Sequence, residues 1–382
     1  MTCFDKSDHY GGLWNYQDSE QVPSVMKTTI LNTSKELSAF SDFPPPSKFP
    51  NFMKHNLYMD YIKSYVKHFE IEPHLCLKHE ILNCNLEFST DSHEIRWSVD
   101  IRDIRNERTF NRKFDKLMIA VGHHNIPYMP TFMHQSKFKG QIIHSAHLKD
   151  ILADKRFIGK RVVVVGFGNS ACDAANDLAL ITDKCYVSTH RGNWFLSRLC
   201  PTGLYDFEEK TKWTCYKSKI LSTNWNDRRL ISKAVSRTNH QLLGLTPKHK
   251  PSEQVPAIND LFPYRVFTGG VILKGSLAWF TENGVVFEGE EREEYEVDIV
   301  VLATGYTAKV TFLDEQKLGI RGANGEYELY LNIFAPKLSL DGLILQERAV
   351  ESLAYIGLVQ VSCYCRKRLS VCFRSGGQSC RS

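Results

Sequence analysis

One stretch constrains the fold of this 382-residue chain more than any other: Val162-Val163-Val164-Val165 followed by Gly166-Phe167-Gly168-Asn169-Ser170-Ala171. Four consecutive β-branched apolar residues predict a strand buried on both faces, as in a parallel sheet covered on each side. The G-x-G-x-x-A that follows is the dinucleotide-binding turn with its permitted final alanine. Gly166 allows the tight turn, Gly168 lets a pyrophosphate approach bare backbone, and Ala171 keeps the helix close to the strand. Ala171, Ala174, Ala175 and Leu178 then recur at helical spacing and predict one buried face. The N-terminus of that helix would offer its N–H groups and the positive end of its dipole to phosphate.

A glycine fingerprint alone is weak evidence, and a merely structural glycine turn is the alternative reading. Here a second strand, Cys185 to Thr189, follows the helix and ends at His190-Arg191. An acid at that tip would bind a free ribose 2′-hydroxyl, whereas Arg191 suits a 2′-phosphate. NADP(H) is therefore favoured over NAD(H).

Around this unit, strands alternate with helices, which points to an α/β protein with parallel sheets. Residues 1–5 read as a strand ending at Asp5, and residues 42–51 as a proline-rich loop. Leu57, Tyr61, Ile62, Tyr65 and Val66 follow helical spacing within 56–69. From 75 to 121 the pattern favours strands, Trp97, Val99 and Ile101 alternating and 116–122 forming a short buried run that ends in glycine. Residues 297–305 repeat that last pattern, while 190–256 show little periodicity.

Several function classes are disfavoured. The net charge of +5 equals the five cations Arg366, Lys367, Arg368, Arg374 and Arg381 of an acid-free tail, so no broad nucleic-acid-binding surface is expected. No run of eighteen apolar residues and no basic-then-apolar leader is visible, so neither a transmembrane segment nor a signal peptide is expected. Four of the eleven cysteines, Cys363, Cys365, Cys372 and Cys380, crowd the tail at spacings that match no common zinc pattern, so no metal is expected. The absence of C-x-x-C argues against a flavin disulfide reductase.

Further motifs carry a resemblance. Phe138-Lys-Gly140-Gln-Ile-Ile-His144 is similar to an F-x-G-x-x-x-H linker, Val301-Leu-Ala-Thr-Gly-Tyr306 to an A-T-G-Y strand end, and Gly166-Phe-Gly-Asn-Ser170 to a G-x-G-N-S loop, with Ser41-Asp-Phe-Pro44 and Gly122-His-His124 also in order. Together they resemble the animal-type flavin-containing, dimethylaniline N-oxide-forming monooxygenases over roughly residues 2 to 360. The resemblance implies two Rossmann-like nucleotide-binding domains, with an FAD domain in two parts (1–155 and 297–360), an NADP domain (156–296) and a divergent tail (361–382). It implies FAD and NADP(H) as cofactors, O2 and a small amine or sulfide as substrates, and oxygen transfer through a C4a-hydroperoxyflavin in xenobiotic N- and S-oxidation. The setting it implies is the cytoplasm or the cytosolic face of the endoplasmic reticulum. By the same resemblance Asp5 is the acid on the FAD ribose, and Leu13, Trp14, Asn32 and Thr33 lie at the flavin. Asn32 is the catalytic candidate, and Gly166, Gly168, Asn169, Ser170, Ala171, Cys172, Asp173 and Arg191 lie at NADP. From pattern alone, Asp5 and Asn32 also read as turn residues, Trp14 as core, and His144 as a satisfied structural histidine.

The chain departs from the family pattern at both ends. A ribose-binding acid should follow a first strand and glycine loop by about 20 residues; Asp5 is too early, so the FAD domain is expected to lack its first strand, to leave neighbouring strand edges unpaired and to bind FAD poorly. Residues 341–353 read as an insertion, and Leu148 stands where the linker motif carries an aromatic. Two other functions stay open: a non-catalytic NADP(H)-binding product or interaction partner of a longer subunit, and Baeyer–Villiger oxygenation of ketones.

Overall fold

A computed structural model describes residues 1–88, 95–122, 124, 126–199, 206, 223–307, 309–322, 327–329 and 343–345. The Cys/Arg-rich tail lies outside them, as do most of the suspected insertion at 341–353 and Tyr355–Gln360.

The N-terminal region begins with β1 (Cys3–Asp5), which pairs in parallel with β2 (Leu75–Leu77). Between them α1 (His55–His68) buries His55, Met59 and Val66 along one face. Tyr61 anchors the proline-rich loop to this helix: its hydroxyl donates to the Phe43 carbonyl at 2.5 Å and accepts from the Phe40 N–H at 2.7 Å. An antiparallel meander follows, β3 (His79–Phe88), β4 (Ile95–Asp103) and β5 (Arg108–Phe114). Alternation turns Trp97, Val99 and Ile101 inward, all buried. The short strand β6 (Leu117–Ile119) pairs in parallel with Leu343–Leu345. Phe4 of β1 and Ile119 of β6 join the same core as Trp97. β1–β2 and β6 with its partner are separate two-stranded ribbons among the described residues.

The second sheet has five strands, all parallel: β7 (Gln141–His144), β8 (Arg161–Val165), β9 (Lys184–Ser188), β10 (Ile272–Lys274) and β11 (Ile299–Leu302), in the order β10-β9-β8-β11-β7. The unbroken valine run of β8 has a direct cause. Val162 and Val164 pack with Ala171, Ala174, Ala175 and Leu178 of α2 (Asn169–Leu178) on one face. Val163 and Val165 pack on the other against Phe280, Val285 and Phe287 of a three-stranded antiparallel layer (277–296). Both faces being covered, no position from Val162 to Val165 can be polar without losing its hydration.

The sheet takes in two strands outside the 156–296 span expected for the NADP domain. β7 and β11 lie in segments assigned from the sequence to the FAD domain, but each hydrogen-bonds along its length in this sheet. Pairing, not chain order, sets the sheet's extent. The aperiodic 190–256 region contains α3 (Thr223–Arg237), whose buried residues are only Asp227 and Ala234, and ends just before α4 (Phe262–Phe267). A helix with so narrow an apolar face leaves little periodic signal.

Gly166 follows β8 with φ +121°, and a Cβ there would overlap the Ala303 carbonyl oxygen beyond β11. Gly166→Ala is therefore expected to lower stability by roughly 1–3 kcal/mol or more, the cost of a forced backbone conformation plus the shift of β11. Urea denaturation measures this, and an unchanged midpoint would contradict the close approach.

Candidate functional site

The turn after β8 lies at the carboxyl edge of the sheet, where β9 departs to one side and β11 to the other. In doubly wound sheets that is where nucleotides bind. Gly166 N–H donates to the Ser188 carbonyl at 3.0 Å, and Ala303 N–H donates to the Val165 carbonyl at 2.8 Å, so neighbouring strands clamp the turn from both sides. Gly168 caps α2 in extended conformation, no side chain caps that helix end, and a Cβ on Gly168 would meet open space. The first N–H groups of α2 are thus left for an external acceptor.

A cavity of about 270 Å³ opens beside this turn, lined among others by Gly166, Thr189, His190, Arg191, Gln254 and Ser276. His190 Nδ1 and Ser276 Oγ are hydrogen-bonded at 2.9 Å, and Glu288 Oε2 lies 3.8 Å from the same ring nitrogen. Arg191 is exposed at the cavity. Bare backbone, a free helix N-terminus, a cation and a cavity fit a dinucleotide phosphate.

The other expected NADP residues have different surroundings. Asn169 Oδ1 accepts from Ile258 N–H at 2.8 Å and so ties the turn to the strand Ala257–Ile258. Ser170 is exposed beside it. Ala171 and Cys172 are turned into the core, and Cys172 N–H already bonds the Gly168 carbonyl at 3.1 Å. Burial pushes the Cys172 thiol well above its usual range. Asp173 Oδ1 accepts from Asn259 Nδ2 at 2.8 Å, and burial raises its carboxyl to about 6 against the pull of Arg198 and this hydrogen bond.

On the flavin side, Leu13 and Trp14 occupy a single helical turn after Gly11 and Gly12. Trp14 meets Tyr58 of α1 edge to face at 4.9 Å, and a Cβ on Gly11 (φ +100°) would overlap the Met59 thioether. The segment carrying Asn32 and Thr33 reaches the same helix end, since Leu31 N–H donates to the Met53 carbonyl at 2.9 Å and His55 N–H to the Thr29 carbonyl at 3.1 Å. Thr33 Oγ1 and Ser38 Oγ are hydrogen-bonded at 2.6 Å. Asn32 Oδ1 accepts from Arg198 Nη2 at 2.9 Å. The neighbouring Ser34 hydroxyl is fully buried without a partner, so the flavin-side residues include an unsatisfied polar atom that a polar ring edge could satisfy. Asp5 stands at the carboxyl end of β1, its Oδ1 accepting from Ser7 N–H at 2.8 Å. A glycine loop for the FAD pyrophosphate is not among the described residues.

The two long-range motifs meet. His144 ends β7, its Nδ1 accepting from Ala146 N–H at 3.1 Å and its Nε2 donating to the Gly305 carbonyl at 3.0 Å, while its ring lies 5.3 Å from Tyr306. With both nitrogens engaged and burial lowering its pKa, His144 is a structural histidine rather than an acid–base group. His190, Ser276, Gln254 and Arg198 were not singled out from sequence. His190 had a signal, its place beside Arg191 at the strand tip; the other three come from distant, aperiodic positions.

Fold and site together define an α/β protein in which one five-stranded parallel sheet of nucleotide-binding type, with a glycine turn at its carboxyl edge, is entered through a histidine-bearing linker. The chain belongs to the flavin-binding monooxygenase-like family, whose model matches residues 1–363. Flavin-containing monooxygenase 5 of Rattus norvegicus is 34% identical over 372 residues, covering 94% of this chain. Flavin-containing monooxygenase 1 of Homo sapiens is 33% identical over 358 residues, covering 90% of this chain and 65% of the human protein. The chain spans 64% of the length of the rat relative. Among solved structures, Tmm from Pelagibacter sp. strain HTCC7211 superposes with a TM-score of 0.65 at 20% identity, over 98% of this chain and 70% of that one. Cyclohexanone monooxygenase from Rhodococcus sp. Phi1 bound to NADP+ does so at 0.59 and 16% identity, over 96% and 80%. No helix among the described residues is long and apolar enough to cross a membrane.

Asp173 gives a pH prediction. A carboxyl raised to about 6 in the folded state adds stability that is full below its unfolded value near 4 and is lost as pH rises through about 6. Asp173→Asn removes that loss. The variant is expected to be more stable than wild type at pH 8, by roughly 1–3 kcal/mol, with the advantage shrinking toward pH 4. Chemical denaturation across that range checks it, and a pH-independent difference would count against it.

Proposed function

We propose that the protein is an NADPH- and FAD-dependent monooxygenase that transfers one oxygen of O2 to the nitrogen or sulfur of a small amine or sulfide. The observation that carries the proposal is the cavity at the β8 and β9 tips, lined by Arg191 and His190 together with Gly166 and Phe167 of the turn that leads into α2. A nicotinamide dinucleotide would lie with its pyrophosphate on Gly168 and the first N–H groups of α2, and its 2′-phosphate on Arg191. Asp5, Trp14, Asn32 and Thr33 would hold FAD; bound reduced flavin supplies the oxygen activation. The protein's own part is to orient both nucleotides, to keep water from the reacting face and to offer Asn32 as a hydrogen-bond group there. Family membership supports the reading, and by that resemblance the setting is the cytoplasm or the cytosolic face of the endoplasmic reticulum.

With FAD added in excess, NADPH-driven oxygen uptake should rise when a tertiary amine or thioether is present, with one oxygen atom gained by that compound in mass spectrometry. Ester formation from a ketone instead would assign the Baeyer–Villiger reaction. NADPH-dependent thermal stabilisation with no oxygen uptake would leave a non-catalytic binding protein.

Two further outcomes are expected. Arg191→Ala should weaken NADPH binding at least tenfold while changing NADH little, since only the former loses a charge-assisted phosphate contact; equal losses in a fluorescence titration would remove the 2′-phosphate assignment. FAD retention should be substoichiometric, because Asp5 sits on a ribbon that, among the described residues, is two-stranded and not hydrogen-bonded to the β6 ribbon. Flavin absorbance after gel filtration measures this, and a one-to-one ratio would overturn it.

A further inference from the structure

Arg198 follows the short strand Phe195–Leu196 in the nucleotide-binding half, yet most of its guanidinium hydrogen bonds go to the flavin-side segment. Nε donates to the Leu31 carbonyl at 3.1 Å, and Nη2 donates to the Ile30 carbonyl at 3.4 Å and to Asn32 Oδ1 at 2.9 Å. The opposite edge is anchored at home: Nη1 meets Asp260 Oδ2 at 3.0 Å, and Asp260 Oδ1 accepts from the Arg198 backbone N–H at 3.1 Å and from Ser197 Oγ at 2.5 Å. The side chain is only 14% exposed, so water competes weakly for these bonds. A planar fork held on one edge by a carboxylate cannot swivel without breaking several bonds at once.

The chemistry of the pair fixes a direction. A carboxamide has an accepting oxygen and a donating NH2, whereas a guanidinium only donates. Arg198 therefore selects the Asn32 rotamer with Oδ1 toward itself, which turns Nδ2 to the other side as a donor. We infer that Arg198 is a positioning residue that orients the Asn32 carboxamide so that its NH2 is presented to the flavin side, making the oxygenating geometry depend on the nucleotide-binding half. The inference rests on the reading of Asn32 as the group beside the reacting flavin. Donors held in place before charge develops are worth more than donors that must reorient. Asp260 and the more distant Asp173 are the carboxylates that balance the guanidinium.

The test uses Arg198→Met, Arg198→Ala, Arg198→Lys and Asn32→Asp in the full chain, with circular dichroism confirming that each folds. Hydrogen exchange read by mass spectrometry over residues 29–36 should be roughly tenfold faster in Arg198→Met, as expected for losing charge-assisted bonds. Arg198→Lys should recover part of the protection, since an ammonium cannot reach three acceptors from one place. Asn32→Asp should keep wild-type protection, because a carboxylate still accepts from Arg198. With FAD and NADPH supplied, peroxide released per NADPH should rise several-fold in Asn32→Asp and Arg198→Met alike, and guanidinium ion added to Arg198→Ala should lower it. Unchanged exchange in Arg198→Met overturns the inference, as does a peroxide yield that rises in Asn32→Asp but not in Arg198→Met. A peroxide yield unchanged in Asn32→Asp takes down the reading of Asn32 and this inference with it.

Discussion

The pairing of β8 with β11 carries the architecture. It buries a continuous valine strand, sets the Val165 carbonyl against Ala303 N–H, and brings Ala303 so close to the following turn that only glycine fits at 166. The site follows from that constraint. With Gly166 pressed on β11 and bonded to β9, the turn has little freedom, and it fixes both the start of α2 and one wall of the cavity, which Gly166 and Phe167 line. A turn made of backbone has no side chain to adjust, so its precision comes from the strands that fix it.

The motifs that signal the family serve this sheet rather than the chemistry. Gly140 lacks a Cβ that would collide with the Phe138 ring and the Asp298 carbonyl, which lets β7 and β11 run in register from Gln141 and Ile299. Arg161 Nε and Nη2 grip the two Asp298 carboxylate oxygens at 3.1 and 3.0 Å, fastening β8 to β11 at their starts. At the other ends His144 reaches Gly305 and packs on Tyr306. Linker and A-T-G-Y strand occur together because they are two sides of one joint. Burial favours neutral His144, and a neutral imidazole with one donor and one acceptor is what this joint uses.

The flavin-side segment is tied to the nucleotide half by Met26, which joins the core of the five-stranded sheet, and by a set of polar contacts. Besides Arg198, Thr28 Oγ1 donates to Asp177 of α2 at 2.6 Å, and Lys149 Nζ, whose pKa burial lowers, donates to the Val22 carbonyl at 2.8 Å and Ser24 Oγ at 3.0 Å. Such contacts are directional and short-ranged. They specify one arrangement of the two halves more sharply than apolar packing does, at a cost in desolvation.

The sequence alone determined the central strand, its glycine turn, the α2 stripe, the alternation in β4 and the family, because each is a local pattern: period two, period 3.6, or a fixed spacing of small residues. What the tertiary structure decided was everything set by pairing between distant segments. It placed β7 and β11 in the nucleotide sheet, turned Cys172 into the core, gave Asp173 to Asn259 rather than to solvent, and joined His190 to Ser276. It also brought Arg198 onto Asn32 across 166 residues. No local pattern encodes such a contact, because a guanidinium finds its acceptors only after two separate parts of the chain have packed.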